Sequence, residues 1–523
     1  MSLSSVAADR GTFRALTALL ATGLVGPPLV VGLAAAGVPV MAGTVAVMLV
    51  TVGLLVHPAV RSRLAGLRLA IGTPVTLLFI LGLTVATCYN VRLSRFMIDA
   101  TRSDLSVLPN RKFFREHACL SSYTEAARFA AAGLNIYEVQ RYVDIPKPGE
   151  FKDRYIGPIS VDIYQYPPTF LVLPYPALAA GLDFFTVRQL WFVIQSAVLF
   201  TGIVLLARWI SGLAAIVALL LMPAIWLAQT TRVTLQVGNF QLTAFPLAVL
   251  AMMAFERGRH VTGGLGLGLV AASKIFPGVL GLVLIGTRQW KAVVSTIGWS
   301  VALTLLAWML VGSKPFTDFL TFQLPRIESG EAFFWIEQPE IAPINQSVYG
   351  LVTKLRQLGV PMTSQVAGNR ASSVYALFVF LLAAFAGWRL QKLGSTGIPS
   401  DRLRMRHAQV WLALLTLASL RSPFVPDAYG LVGTMWLLTL VAADRRRRGY
   451  WWAVFGAAMI AFSLVLDGGL VTPPVPAWIV LLTLAIQLAA IGVNIAAVVG
   501  MSAASGRPDP SRLPTRDVEF RVP

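Results

Sequence analysis

The sequence predicts an all-α polytopic membrane protein, and three observations carry that prediction. Apolar residues make up 56% of the 523 and charged ones only 13%, with a mean hydropathy of +0.70. A soluble domain carries roughly a quarter charged residues, the share that covers a water-facing surface. Apolar stretches long enough to span hydrocarbon, about 17–25 residues each, recur along almost the whole chain. Short basic clusters separate them: Arg61, Arg63 and Arg68; Arg257 and Arg259; Arg288 and Lys291; Arg402, Arg404 and Arg406; Arg445 to Arg448. This distribution holds loops on the cytoplasmic side, so the net charge of +19 reads as topology and no nucleic-acid partner is expected.

Taken in order, the first apolar span (16–36) is followed at once by a second with no cleavage site between, and reads as retained rather than as a signal peptide. With Arg10 and Arg14 inside, spans near 15–36 and 40–57 form a hairpin that returns to the basic loop at 58–68. A third span, 70–91, delivers the longest polar stretch, 92–166, to the outer face. Further spans follow near 189–208, 212–228, 239–255, 261–272, 275–287, 292–312, 373–390, 409–422, 429–443, 451–467 and 476–498. The total is about fourteen crossings with both termini inside, a second outer loop over 313–372, and a disordered cytoplasmic tail at 501–523. Residues 168–184 are apolar, but Pro167, Pro168, Pro174 and Pro176 interrupt them. Counting them as a span would put later basic loops outside. Broken backbone at membrane depth is tolerated where it is buried in protein or lines a wet cavity, so this segment reads as re-entrant or lying along the outer face.

Polar residues gather at the outer ends of the spans. In the first outer loop, 120–132 reads as a helix stopped by Gly133. Asn239 and Gln241 lie at the mouth of one span, and Lys274 sits between two short apolar stretches. Asn345 and Gln346 close the second outer loop, and Asp427 and Tyr429 follow a Ser-Pro turn. An ionisable residue at membrane depth costs roughly 2.5–3.5 kcal/mol on insertion scales, which makes Lys274 a functional candidate. It can snorkel to the interface or serve as the cation for an anionic group such as a lipid phosphate. Cys88 lies in an apolar span and Cys119 in a polar loop, so no disulfide is expected. No Cys/His metal spacing appears along the chain, so no metal and no cofactor are expected. The run GGLGLGL at 263–269 lies inside a span, where small residues let helices approach closely rather than cradle phosphate.

The order of these features resembles glycosyltransferase family 87, multi-spanning GT-C transferases that use polyprenyl-phosphate sugars. The resemblance rests on the Ala-rich helix YTEAARFAAAGLNIY at 123–137, Tyr166 with Pro167 and Pro168, and Gly238, Asn239 and Gln241, where the family's amides are exchanged. It continues through Lys274 with Pro277, the Asn-Gln-Ser at 345–347, and Ser422 with Pro423. It implies a GT-C-like bundle of about 13–14 helices with its core at 70–465, two extra helices within 1–69 and a C-terminal helix within 466–500. It implies transfer of a hexose, usually mannose, with inversion, from a polyprenyl-phosphate donor to a glycan or glycolipid at the extracytoplasmic face of a bacterial plasma membrane. Besides these substrates, only membrane lipids are implied as partners. Lys274 is then the first choice for the donor phosphate, helped by Arg232, Asn239 and Gln241. Tyr123, Tyr166, Asn345, Gln346, Asp427 and Tyr429 would line the acceptor side or the pocket. Cys119 stands where the family carries its catalytic Asp, four residues before Tyr123. If the helix continues back over 115–123, Glu116 shares the face of Cys119; Glu125 and Asp162 are the other candidate bases. Two further readings stay open: a carrier or flippase with Lys274, Asn239 and Asp427 along its path, although no internal repeat is seen, and a glycan-binding relative that has lost its base.

Overall fold

The computed structural model describes residues 10–500 apart from 148–149, 334, 362–363, 396–397, 446–449 and 464–473. The tail expected at 501–523 and most of the 445–448 basic run lie outside the described residues. Among the described residues, five helices are long and apolar enough to cross a membrane: Thr73–Ile98, Phe184–Ile210, Trp290–Val311, Gln365–Gly394 and Ala477–Val499. Three further helix pairs are apolar and long enough together but sharply bent, as in a broken span or a re-entrant loop. Arg10–Leu24 meets Gly26–Ala35 at 51°, Val40–Val56 meets Pro58–Leu69 at 65°, and Gly212–Leu227 meets Gln229–Val237 at 63°. Prolines open the second member of the first two pairs. A proline has no N–H to donate and clashes with the preceding turn, so it starts a helix readily and interrupts one just as readily. Shorter apolar helices complete the bundle, Gln241–Glu256, Phe276–Gly286, Val432–Asp444 and Trp452–Phe462 among them. The all-α membrane class is therefore what the chain adopts, with several of the expected crossings bent or short.

Residues 168–184 do not form a spanning helix. They make a 3₁₀ turn at Pro168–Val172 and one helical turn at Tyr175–Ala179. Five residues of helix cover about 7.5 Å of the roughly 30 Å hydrocarbon core. Thr169 of this segment contacts Thr304 of Trp290–Val311, their hydroxyl oxygens 3.2 Å apart.

Close helix packing depends on small residues, as the 263–269 run suggested. A Cβ on Gly264 would stand 2.1 Å from the Ser295 hydroxyl, and one on Gly268 3.0 Å from the Ser300 amide. The approach is as tight between Val279–Gly286 and Ser364–Gly394, where a Cβ on Gly387 would lie 2.8 Å from the Val283 carbonyl and 2.9 Å from the Gly286 Cα. Backbone cannot step aside as a flexible side chain can.

The long polar stretch folds into a small mixed unit. Helix Lys112–Glu116 leads into strand β1 (His117–Ala118), then helix Cys119–Ala131. The expected helix is thus present, and Gly133 follows its end at φ +68°, a left-handed conformation that residues with a Cβ rarely adopt. Strands β2 (Val143–Lys147) and β3 (Glu150–Asp153) form a hairpin, while β4 (Tyr155–Ile156) and β5 (Ile159–Val161) join β1 in the order β1-β5-β4. One expectation is corrected here. The helix does not continue back over 115–123, because His117 and Ala118 leave the helical conformation to pair in parallel with Ser160 and Val161. Glu116 therefore does not share a helical face with Cys119.

The Gly387 contact is testable. Gly387→Val overpacks backbone against backbone and should cost about 1–3 kcal/mol, read as a lower thermal unfolding midpoint in detergent. Gly281→Ala, where a Cβ would meet nothing within 4 Å, should leave the midpoint unchanged or raise it. Equal midpoints for wild type and Gly387→Val would refute the packing account.

Candidate active site

The register of β1 with β5 builds the site. His117 lies opposite Ser160 and Ala118 opposite Val161, so the next step along each chain sets Cys119 beside Asp162. The Ser121 hydroxyl locks this arrangement. It donates to the Ala118 carbonyl at 2.7 Å and accepts from the Asp162 amide at 2.9 Å. The Asp162 carboxylate takes the Ile163 amide on Oδ1 at 2.8 Å, while Oδ2 lies 3.8 Å from His117 Nε2. Cys119 Sγ is 3.5 Å from the same nitrogen.

The helices contribute the other half. Helix Gln229–Val237 ends at Gly238 in the left-handed region (φ +72°), which turns the chain sharply so that Asn239 points back into the cluster. Asn239 Nδ2 donates to Cys119 Sγ at 3.4 Å. Its Oδ1 accepts from Lys274 Nζ at 3.1 Å and from the Gln241 amide at 2.9 Å. Lys274 is the last residue of helix His260–Lys274, which breaks at Ile275 (φ +56°) before Pro277. A β-branched residue in that region is strained, and such strain clusters at functional sites. Lys274 Nζ also donates to the Tyr166 hydroxyl at 3.3 Å and lies 5.1 Å from the centre of that ring. Tyr123 donates to Tyr166 at 2.8 Å and accepts from the Phe240 amide at 3.2 Å. The hydroxyl of Tyr429 bonds the Cys119 thiol.

Burial tunes the loop residues of this cluster. It pushes the Cys119 thiol well up, with the Asp162 carboxylate adding to the effect, so sulfur stays protonated at neutral pH. It lowers His117, which the Asp162 charge partly offsets, and raises the Asp162 carboxyl above the ordinary carboxylate range, which His117 partly offsets.

The three candidate carboxylates end in different places. Asp162 is inside the cluster. Glu116 instead accepts from the Tyr155 hydroxyl at 3.0 Å and lines a separate cavity of ≈ 460 Å³ with Lys112, Arg115 and Thr101. Glu125 lies six residues beyond Cys119, about 240° round the helix, and pairs with Arg128 at 2.8 Å. Arg232 stands away from Lys274, its guanidinium 4.0 Å above the Tyr89 ring.

Asn345, Gln346 and Asp427 hold the turn that carries Tyr429. Asn345 donates to the Pro423 carbonyl at 2.9 Å and accepts from the Val425 amide at 3.1 Å. The Gln346 amide donates to the Val425 carbonyl at 2.7 Å, and that of Asp427 to the Ile344 carbonyl at 2.8 Å. Two residues not anticipated from sequence fix this loop from behind. The buried Lys354 donates to the Asn345 carbonyl and to Gln487 Oε1, each at 2.8 Å, and the Gln487 amide donates to the Ser347 carbonyl at 2.6 Å. His117 was also missed, since a two-residue strand leaves no readable alternation.

The model of glycosyltransferase family 87 matches residues 164–423. This match supports assigning the chain to glycosyltransferase family 87. The matched region takes in Tyr166, Asn239, Gln241 and Lys274, whereas His117, Cys119, Asp162 and Tyr429 fall outside it. The chain is also similar to a polyprenol-phosphate-mannose-dependent alpha-(1-2)-phosphatidylinositol pentamannoside mannosyltransferase of Mycolicibacterium smegmatis. The two are 24% identical over 367 residues, 63% of this chain and 82% of that protein. No solved structure matches. The family assignment makes the protein a membrane glycosyltransferase.

Gln236 ties the polar loop to this family 87 core, accepting from the Val107 amide at 2.6 Å and donating to the Phe114 carbonyl at 2.5 Å. Gln236→Leu leaves both backbone groups without a partner, at about 1–3 kcal/mol for each buried group. Amide exchange in 107–114 should then quicken; exchange at the wild-type rate would mean the clamp is idle.

Proposed function

We propose that the protein transfers a hexose, mannose by preference, from a polyprenyl-phosphate donor to a glycan or glycolipid acceptor on the extracytoplasmic side. The observation that carries this reading is the juxtaposition of a cation and a carboxylate across one amide. Lys274 Nζ meets Asn239 Oδ1 at 3.1 Å, Asn239 meets Cys119 at 3.4 Å, and Cys119 lies against Asp162. The relative's polyprenol-phosphate-mannose dependence and its glycolipid acceptor support the substrate classes. The basic loops of the sequence support the side.

The reaction is a single displacement at the anomeric carbon, with inversion. The bond from the acceptor oxygen to the anomeric carbon forms as the bond from that carbon to the phosphate oxygen breaks. Asp162 Oδ2 takes the acceptor's proton, and its raised affinity for a proton suits it to that task. Lys274, with the Tyr166 hydroxyl and Asn239 beside it, stabilises the charge that grows on the leaving polyprenyl phosphate. Such aimed donors are often the largest catalytic contribution. The donor's own sugar–phosphate bond supplies the driving force, so the chain needs no nucleotide. The broken segment at 168–184 and the bent helix pairs offer apolar surface for the prenyl tail.

Purified protein given polyprenyl-phosphate mannose and a mannosylated glycolipid should transfer sugar. Asp162→Asn should lower kcat about 10²–10⁴-fold and Lys274→Met about 10²–10³-fold. Glu116→Gln and Glu125→Gln should stay close to wild type. Full activity in Asp162→Asn with loss in Glu116→Gln would move the base to the separate cavity.

A further inference from the structure

His117, Cys119 and Asp162 are also a donor set. Their ligating atoms all lie within 4.8 Å of one another, with sulfur 3.5 Å and carboxylate oxygen 3.8 Å from His117 Nε2. A tetrahedral zinc ion, with Zn–S near 2.3 Å and Zn–N or Zn–O near 2.0–2.2 Å, separates sulfur from nitrogen by about 3.6 Å and nitrogen from oxygen by about 3.4 Å. The two pairs that share His117 Nε2 stand within a few tenths of an ångström of that spacing, and the sulfur and the carboxylate oxygen, within 4.8 Å of each other, close onto an ion by a side-chain rotation. Their supports are also those of a built site. The Phe113 ring stacks on the imidazole at 4.3 Å, the Ile163 amide occupies Asp162 Oδ1 and leaves Oδ2 toward the set, and Asn239 Nδ2 reaches the sulfur. Outer contacts of this kind orient metal ligands.

We propose that His117, Cys119 and Asp162 bind one thiophilic divalent cation of the zinc class, through three protein ligands with the fourth position left to water. The thiol proton goes to solvent as the metal–sulfur bond forms, and the thiolate and carboxylate together balance the ion's two charges. The Asn239 amide stands between the sulfur and the Lys274 ammonium, so cation and lysine do not meet face to face. The local pairing explains the geometry. His117 in β1 and Cys119 at the start of the next helix flank Ala118, and the parallel neighbour β5, ending at Val161, brings Asp162 alongside. This site rests on the proposed reading for its consequence only: an ion on Asp162 takes the lone pair that removes the acceptor's proton, so zinc inhibits transfer.

Binding is measured first, on full-length protein in detergent without substrate. Zn²⁺ is titrated against a chromophoric chelator, and Co²⁺ is added separately to look for thiolate-to-metal charge-transfer absorption. One ion per chain and a thiolate band are expected. Cys119→Ser should abolish the band, and His117→Gln and Asp162→Asn should each weaken zinc binding about tenfold or more. Cys88→Ser and Glu116→Gln should bind as wild type does. Thermal unfolding without metal shows that each variant is folded; if Cys119→Ser is not, the His117 and Asp162 variants decide. No stoichiometric binding, or unchanged affinity in the three ligand variants, overturns the proposal. Transfer is then assayed with and without saturating Zn²⁺. A fall of tenfold or more, reversed by a chelator, is expected, and transfer indifferent to a bound ion overturns the inhibitory role. Binding in a protein that transfers no sugar would contradict the transferase reading while leaving the metal site standing.

Discussion

The amide of Asn239 connects most of what the site needs. Through Oδ1 it receives Lys274 and the Gln241 amide, through Nδ2 it reaches Cys119, and its carbonyl accepts from Gln195 at 2.7 Å. Segments around 119, 195, 239 and 274, far apart in sequence, are thus joined at one buried residue. An amide suits this place because it presents an acceptor to the ammonium and a donor to the sulfur at once, without adding a charge. A carboxylate here would pair with Lys274 and spend the cation that the leaving phosphate requires, whereas an aliphatic residue would leave buried groups unpaired on both sides.

Around that amide, the bundle's irregularities are placed where the chemistry is. The helix carrying Lys274 breaks at a strained Ile275, the helix before Asn239 breaks at Gly238, and the apolar segment after Tyr166 never becomes a span. Each break releases backbone groups that hydrocarbon could not satisfy; the one at Gly238 is buried in folded protein, whereas Ile275 is exposed at the end of its helix. The second polar loop reaches the same point by a different route. The buried Lys354 and Gln487 hold Asn345 to Ser347, which hold the 423–427 turn, which sets Tyr429 against Cys119. A helix outside the family-matched residues, Ala477–Val499, thus supports the site.

Much of this was legible in the sequence. Hydropathy and the basic loops identified the membrane class, and the cost of charge at membrane depth singled out Lys274, with the amide at Asn239 beside it. Proline density marked 168–184 as broken, and the Gly133 stop marked the end of the loop helix. What was not legible depends on pairing across distance. A strand two residues long has no period to read, so β1 was merged into the helix, and Glu116 was placed on the face of Cys119 when it points to another cavity. For the same reason, the sequence carries no sign that Asp162 is the candidate carboxylate beside Cys119, and a donor set split between 117 and 162 has no spacing along the chain to read.

The central claim, that Lys274 and Asn239 receive the phosphate of a lipid-borne sugar beside Asp162, is tested most directly by a structure with a non-hydrolysable polyprenyl-phosphonate sugar. The account predicts a phosphonate oxygen within about 2.7–3.2 Å of Lys274 Nζ, with the anomeric carbon on the Asp162 side. A phosphonate bound away from Lys274, for example at Arg232 over Tyr89, would contradict it.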